Sequence, residues 1–427
     1  MKLRLSYGVT GNCDGIDNYA SSTSTKVGGT YYYGGEVVNG RLMSAIIDPN
    51  LKWEKSHEWN LGLDFGFWDN RLNGSVDLYS KTSKDLLYNV TSPLAGYSIT
   101  TNIGEVRNQG IVVALNGVLI KKKDLTWNMG LTFAANKNEV RKINGQSDRV
   151  ISDDITTGSL FVGESVNNIY GYILDGIVSD RNMVVPDNDL ARQKGFTPGE
   201  QVRECDYYYA VYGWREGQPI INDKNVDGVI NDEDRHIMKA DPACTMGWTT
   251  SVTWKNWDFG MSLYAKLGGK AYSATLAQYL DWSDRGRTRI NVDYYIPAGA
   301  LINCDGYNED GSLINPVYQQ STHYGDYAFP TNAGSGAGVG NSSSQYLNAV
   351  SIENTSFLKC KNITLGYTFP KSWLTPWGCQ HLRLYFTVTN AFCFTGFKGF
   401  DPEWASSSLK NDGPSTVTYQ VGASIKF

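Results

Sequence analysis

The chain has 427 residues, with 38 Lys and Arg against 43 Asp and Glu, a net charge of −5, 45 glycines and 27 tyrosines. That balance argues against a nucleic-acid binder, which carries a basic face, and no run of about 18 apolar residues is present to make a transmembrane helix. A mean hydropathy of −0.35 does not exclude a membrane β-barrel, whose strands are half polar.

Ten segments show the period-two alternation of β-strands, in which successive side chains point to opposite faces. The first carries Leu3, Leu5 and Tyr7, directly after Met1 and with no apolar core of signal-peptide length, so an export signal is expected to be cleaved or to lie outside these residues. Trp59, Leu61, Leu63, Phe65 and Phe67 form the second stripe, and Leu72, Val76 and Leu78 the third. Ile111, Val113, Leu115 and Leu119 make the fourth; Leu125, Trp127, Met129, Leu131 and Phe133 the fifth. Met246, Trp248, Val252 and Trp254 are followed at once by Trp257, Phe259, Met261, Leu263 and Ala265. Ile363, Leu365, Tyr367 and Phe369 precede Leu382, Leu384, Phe386 and Val388. The last segment, Val417 to Phe427, alternates without a break and ends on an aromatic residue. Its length matches the 9–11 residues or so that a tilted strand needs to cross a bilayer.

The links carry as much information as the strands. Short ones at 69–71, 121–124 and 255–256, with a longer one at 370–380, alternate strictly with long polar stretches at 10–56, 81–108, 136–245, 268–355 and 394–416. Loops beyond about 12–15 residues are uncommon in compact soluble domains, whereas tight turns at one end and long loops at the other are the hairpin pattern of an outer-membrane barrel. Trp68, Trp254, Trp257, Trp373 and Trp377 all fall at the short-turn end, where an aromatic girdle would sit at the membrane–water boundary. Tryptophan is also simply common in sheets, but its clustering at one end favours the girdle. The Gly- and Ser-rich stretch from Asn332 to Ser344 reads as a mobile loop tip.

Few residues suggest chemistry. Asp223, Asn225, Asp227, Val229, Asn231 and Asp234 stand at the ligand positions of a calcium loop, Val229 through its carbonyl, with Gly228 at the sharp turn. Asp in place of Glu at the last position leaves an Asx-rich turn without metal as the alternative. Tyr31–Tyr33 and Tyr207–Tyr209, with Tyr212 and Trp214, offer ring faces for a sugar or peptide, but ordinary loop packing is the favoured reading. The acid pairs Asp153/Asp154 and Asp232/Glu233 show nothing of the fixed separation that glycoside hydrolysis requires, so no enzyme is expected. Lys121–Lys123 reads as a solvated basic turn. The seven cysteines show no metal spacing. Cys360 and Cys393 share a face if their strands pair, which makes a cross-strand disulfide an expectation, though not the favoured one.

KLRLSYGVTGN at 2–12, the run at 51–87, NIGEVRNQGIVVALN at 102–116, FLKCKNITLGYTFP at 357–370 and FKGFDPE at 397–403 occur in an order that resembles the SusC/RagA family of TonB-dependent outer-membrane transporters, and the Asp-Gly loop completes the set. The resemblance implies an all-β fold: an antiparallel up-and-down meander of about ten strands, part of a larger transmembrane barrel of about 22. Residues 1–427 are then the carboxy-terminal part of that barrel, with no plug domain. It also implies uptake of oligosaccharides or peptides, a SusD-like lipoprotein and TonB as partners of the intact protein, and the outer membrane as location. Without plug and TonB contact, energised transport by this chain alone is not expected. The rival reading is a secreted all-β binding module stabilised by calcium.

Overall fold

The structure is a computed structural model that describes all residues except 15–23, 46–47, 49, 92–97, 103, 144–147, 150–158, 281–290, 330–343, 399–400, 404–407 and 410–414. Asp153/Asp154 and most of the Asn332–Ser344 stretch therefore lie outside the described residues. One ten-stranded antiparallel sheet organises the chain: β1 (Lys2–Asn12), β2 (Glu54–Phe67), β3 (Leu72–Lys84), β4 (Glu105–Lys121), β5 (Leu125–Lys142), β6 (Cys244–Trp254), β7 (Trp257–Leu267), β8 (Phe357–Thr368), β9 (His381–Thr395) and β10 (Thr418–Lys426). Each strand pairs with its neighbours in sequence, so the spatial order is the chain order. Among the described residues β1 and β10 are paired on one side only.

The register lines up the apolar stripes. Val252, Phe259, Leu365, Phe386 and Val421 stand side by side across β6–β10. The row one residue over is Ser251, Gly260, Thr364, Thr387 and Gln420. One face is thus oily and the other polar, and the oily side chains are bare: Leu3 is 71% exposed, Leu365 45% and Val421 83%. A soluble protein does not leave so large a contiguous apolar surface in water. In hydrocarbon it is the expected outer wall, and the ladder satisfies the backbone groups that lipid cannot.

β4 and β5 run to 17 and 18 residues, well beyond their alternating stripes. Past the stripes their ends rest on loop residues rather than on lipid: Val106, Val140 and Ile143 pack with Leu86, Leu160 and Val166. Two-faced alternation fades there because both faces meet protein. The links at 68–71, 122–124 and 255–256 are tight turns, while 370–380 holds two short helical turns, Lys371–Leu374 and Thr375–Trp377; at 68–71 the residues Trp68, Asp69 and Asn70 all take the left-handed backbone conformation.

The Cys360–Cys393 bridge, not the favoured reading of the sequence, is not formed. Cys360 stands opposite Phe392 and Cys393 opposite Lys359, so the two thiols fall on different rungs and both are free.

Candidate functional site

The long loops are not structureless. Those at 143–243 and 268–356 share one core in which Tyr172, Val178, Trp214, Ile220, Ala328 and Tyr346 are buried. Tyr208, Tyr212 and Trp214 belong to it, while Tyr207 is buried in a neighbouring core with Val185 and Leu190 and Tyr209 is exposed. Tyr212 stacks on Trp214 with ring centres 4.4 Å apart and planes 15° off parallel, and Tyr208 stacks on the same indole at 5.7 Å. Those rings hold a loop together, as favoured from the sequence. Tyr31, Tyr32 and Tyr33 differ: they end one arm of a hairpin (Ser24–Tyr33 with Glu36–Ala45) and are 54%, 73% and 73% exposed.

The loops between them leave an open cavity of about 350 Å³. Its wall takes Tyr172 from one loop, Lys270, Asp326, Tyr327 and Glu353 from the second, and Lys398 from the third. The polar groups there are under-used. Asp326 makes no hydrogen bond or ion pair among the described residues. Among the described residues the Lys270 ammonium donates to the Met238 thioether alone, at 3.5 Å. Glu353 accepts the Lys398 backbone N–H at 2.7 Å, and burial pushes its carboxyl up. The Lys398 ammonium lies 4.4 Å from the centre of the Tyr327 ring. A cavity with two aromatic faces and four charged groups that lack full partners can hold a polar ligand.

The six residues expected to bind calcium do fall in one turn. Asp223 accepts from the N–H groups of Val226 at 2.6 Å, Asp227 at 3.3 Å and Gly228 at 2.8 Å, and from the Tyr212 hydroxyl at 3.0 Å. Burial, then Asp223 itself, pushes the Tyr212 phenol up and keeps it a donor. Asn225 accepts from Asp227 N–H, Asp227 from Val229 N–H and Asn231 from Glu233 N–H. Gly228 takes φ +86°, which only glycine adopts freely. Asp234 is fully buried and accepts from the Lys224 and Asn231 N–H groups. Among the described residues no three Asp, Glu, His or Cys side chains gather as a metal cage. Both oxygens of Asp223 already accept two hydrogen bonds each, so a cation would have to draw on the remaining lone pairs of Asn225 and Asp227.

The sequence reading missed the ionic groups on the polar face. Lys359 of β8, 2% exposed, donates to Asp401 at 2.7 Å, to Glu403 at 2.9 Å and to Ser415 at 2.9 Å; Lys361 also pairs with Glu403. The loop after β9 is thereby pinned onto the sheet. Burial alone would raise the Asp401 carboxyl, but the bonds from Lys359 and Ser415 outweigh it and hold it low; Glu403 is held low in the same way by Lys361 and Lys359. Nearer the short turns Arg383 reaches Asp258 at 2.9 Å. It passes over Gly366, where a Cβ would come within 2.6 Å of both partners, so the pair lies flat only because that residue is glycine. Arg4 holds Asp64 and Asp77 at 2.8 and 3.0 Å. Both halves of the Lys359 cluster lie in stretches the family resemblance picks out, but sequence spacing cannot show that residues 42 apart touch.

Comparison with known proteins gives a consistent picture. Residues 1–197 match the family described as TonB dependent receptor-like, beta-barrel. The whole chain aligns at 30% identity with the TonB-dependent receptor SusC of Bacteroides thetaiotaomicron, covering 37% of that protein, and at 27% with the TonB-dependent receptor P3 of Formosa agariphila, covering 39%. The RagAB peptide transporter superposes on all of this chain with a TM-score of 0.68 and 22% identity, over 40% of its own chain. The fold is therefore the same, and this chain spans well under half the length of the proteins it matches.

Proposed function

We propose that the chain is part of the β-barrel of a TonB-dependent receptor of SusC/RagA type, forming the carboxy-terminal wall and outer loops of a nutrient importer. Receptors of this family are outer-membrane proteins. The observation that supports the reading most is the ten-strand meander with its bare apolar rows, capped at one end only by packed loops. In this proposal the cargo is an oligosaccharide or a peptide, a SusD-like lipoprotein covers the loops, and TonB supplies the energy through parts of the intact protein that these residues do not include. No catalytic role is proposed.

The cavity among the outer loops is the proposed cargo contact. Detergent-purified protein is offered a mixture of oligosaccharides and peptides, and what it retains is identified by mass spectrometry. One class is expected to be retained, and Glu353→Ala with Lys398→Ala is expected to lower retention roughly tenfold, as loss of one or two charged hydrogen bonds implies. Retention of neither class, or retention unchanged in the variant, would count against the cavity.

Calcium is proposed as an accessory ligand of the Asp223–Asp234 turn. The ordered oxygens support it; the buried, already committed Asp234 and the absence of three gathered acids among the described residues make it weak. An affinity of about 10⁻⁴–10⁻³ M, as in extracellular calcium modules, is expected. Calorimetric titration should show this heat in the parent and none in Asp227→Ala. Absence of heat in both would retire the idea.

A further inference from the structure

We propose that the short-turn end of the sheet is a docking surface for anionic phospholipid headgroups. The inference rests on the reading of the strands as membrane-spanning, and the membrane leaflet at the short turns is its partner. The links at 69–71, 121–124, 255–256 and 370–380 carry Arg71, Lys121, Lys122, Lys123, Lys255 and Lys371, against Asp69 and Asp124. The chain as a whole is acidic, so this excess of positive charge is local. All six cations are exposed, and none makes an ion pair among the described residues.

A second, independent observation fixes the level at which these charges sit. Trp68, Trp254, Trp257, Trp373 and Trp377 are 74%, 53%, 44%, 61% and 83% exposed at the same end of the sheet. An exposed indole prefers the headgroup region, where its ring meets the acyl boundary and its N–H stays wet. Ammonium groups within a few residues of those rings then reach the phosphates. Lys255 illustrates the spacing, with its ammonium 5.6 Å from the Trp254 ring centre. The long stems of lysine and arginine let the charge rise to the headgroups while the methylenes stay on apolar surface.

Charge decides which headgroup. A zwitterionic phosphocholine offers a phosphate and cancels it with its own cation. Phosphatidylglycerol leaves one net negative charge, and the attraction of an anionic surface grows with each basic residue brought near it. Lys121–Lys123, three in a row, is therefore the strongest element of the surface.

The test uses the full chain reconstituted in vesicles of equimolar phosphatidylcholine and phosphatidylglycerol. The protein is returned to detergent, and its retained lipids are measured by mass spectrometry. Phosphatidylglycerol is expected to be enriched roughly fivefold or more over phosphatidylcholine, and added salt should reduce the enrichment. Lys121→Gln/Lys122→Gln/Lys123→Gln should bring it near parity, Lys371→Gln should lower it in part, and Lys194→Gln in an outer loop should leave it unchanged. Equal retention of the two lipids, or enrichment unaltered by the triple variant and by Lys371→Gln, would overturn the inference while leaving the membrane reading standing. Parent protein that does not float with the vesicles would overturn both.

Discussion

Replacing Lys359 with methionine is expected to cost about 3–5 kcal/mol of stability, because it leaves Asp401 and part of Glu403 as buried charge without a partner. Their side chains are only 4% and 25% exposed, so water cannot take over the lost contacts. The loop after β9 should loosen from the sheet, seen as faster proteolysis near residue 401 and a lower urea midpoint in vesicles. Adding Asp401→Asn to Lys359→Met should recover part of the loss, since the orphaned charge is then gone; a double variant no better than the single would contradict the assignment. The cluster also predicts a pH dependence. Both carboxyls are held below their ordinary range in the fold, so the unfolded chain binds protons first as pH falls. Their contribution is complete above about pH 5, where the unfolded carboxyls are almost fully ionised, and is lost as pH drops from there through the folded values.

The second large effect separates the two faces of one strand. Leu365→Arg is expected to destabilise the inserted sheet by about 2–4 kcal/mol if it lies near the midplane and by less toward the tryptophan level. Leu365 stands between Phe259 and Phe386 on the oily face. Thr364→Arg, one residue away, faces Gly260 and Thr387 on the polar side, where an arginine keeps its water, and should cost little. Unfolding in vesicles would measure both. Equal penalties would mean that the faces are not lipid and lumen.

Much of this architecture is legible in the sequence, and the reason is physical. A strand between lipid and a wet lumen must alternate, so Trp59 to Phe67 or Val417 to Phe427 announce both their conformation and their faces. The signal fails where the environment stops being two-sided. β5 continues to Lys142 because Val140 meets loop residues, and nothing in its polar run says so. The helices of the outer loops, such as Glu204–Tyr212, are fixed by Trp214 and by residues of another loop rather than by their own periodicity. Shared parity made a Cys360–Cys393 bridge conceivable though not favoured, and the register sets the two thiols on different rungs, which the sequence does not reveal. Of the site, the Asp223–Asp234 turn was readable because its residues are close in sequence. The Lys359 cluster and the cavity around Glu353 were not, because they join segments far apart along the chain.

The central claim is that these ten strands lie in a lipid bilayer. Flotation of the chain with phospholipid vesicles after a urea wash, followed by gel electrophoresis with and without boiling, tests it most directly. The account predicts that the protein floats with the vesicles, resists the wash and changes mobility on heating. Recovery as a soluble monomer in the absence of detergent, with no vesicle association and no heat-dependent shift, would contradict it.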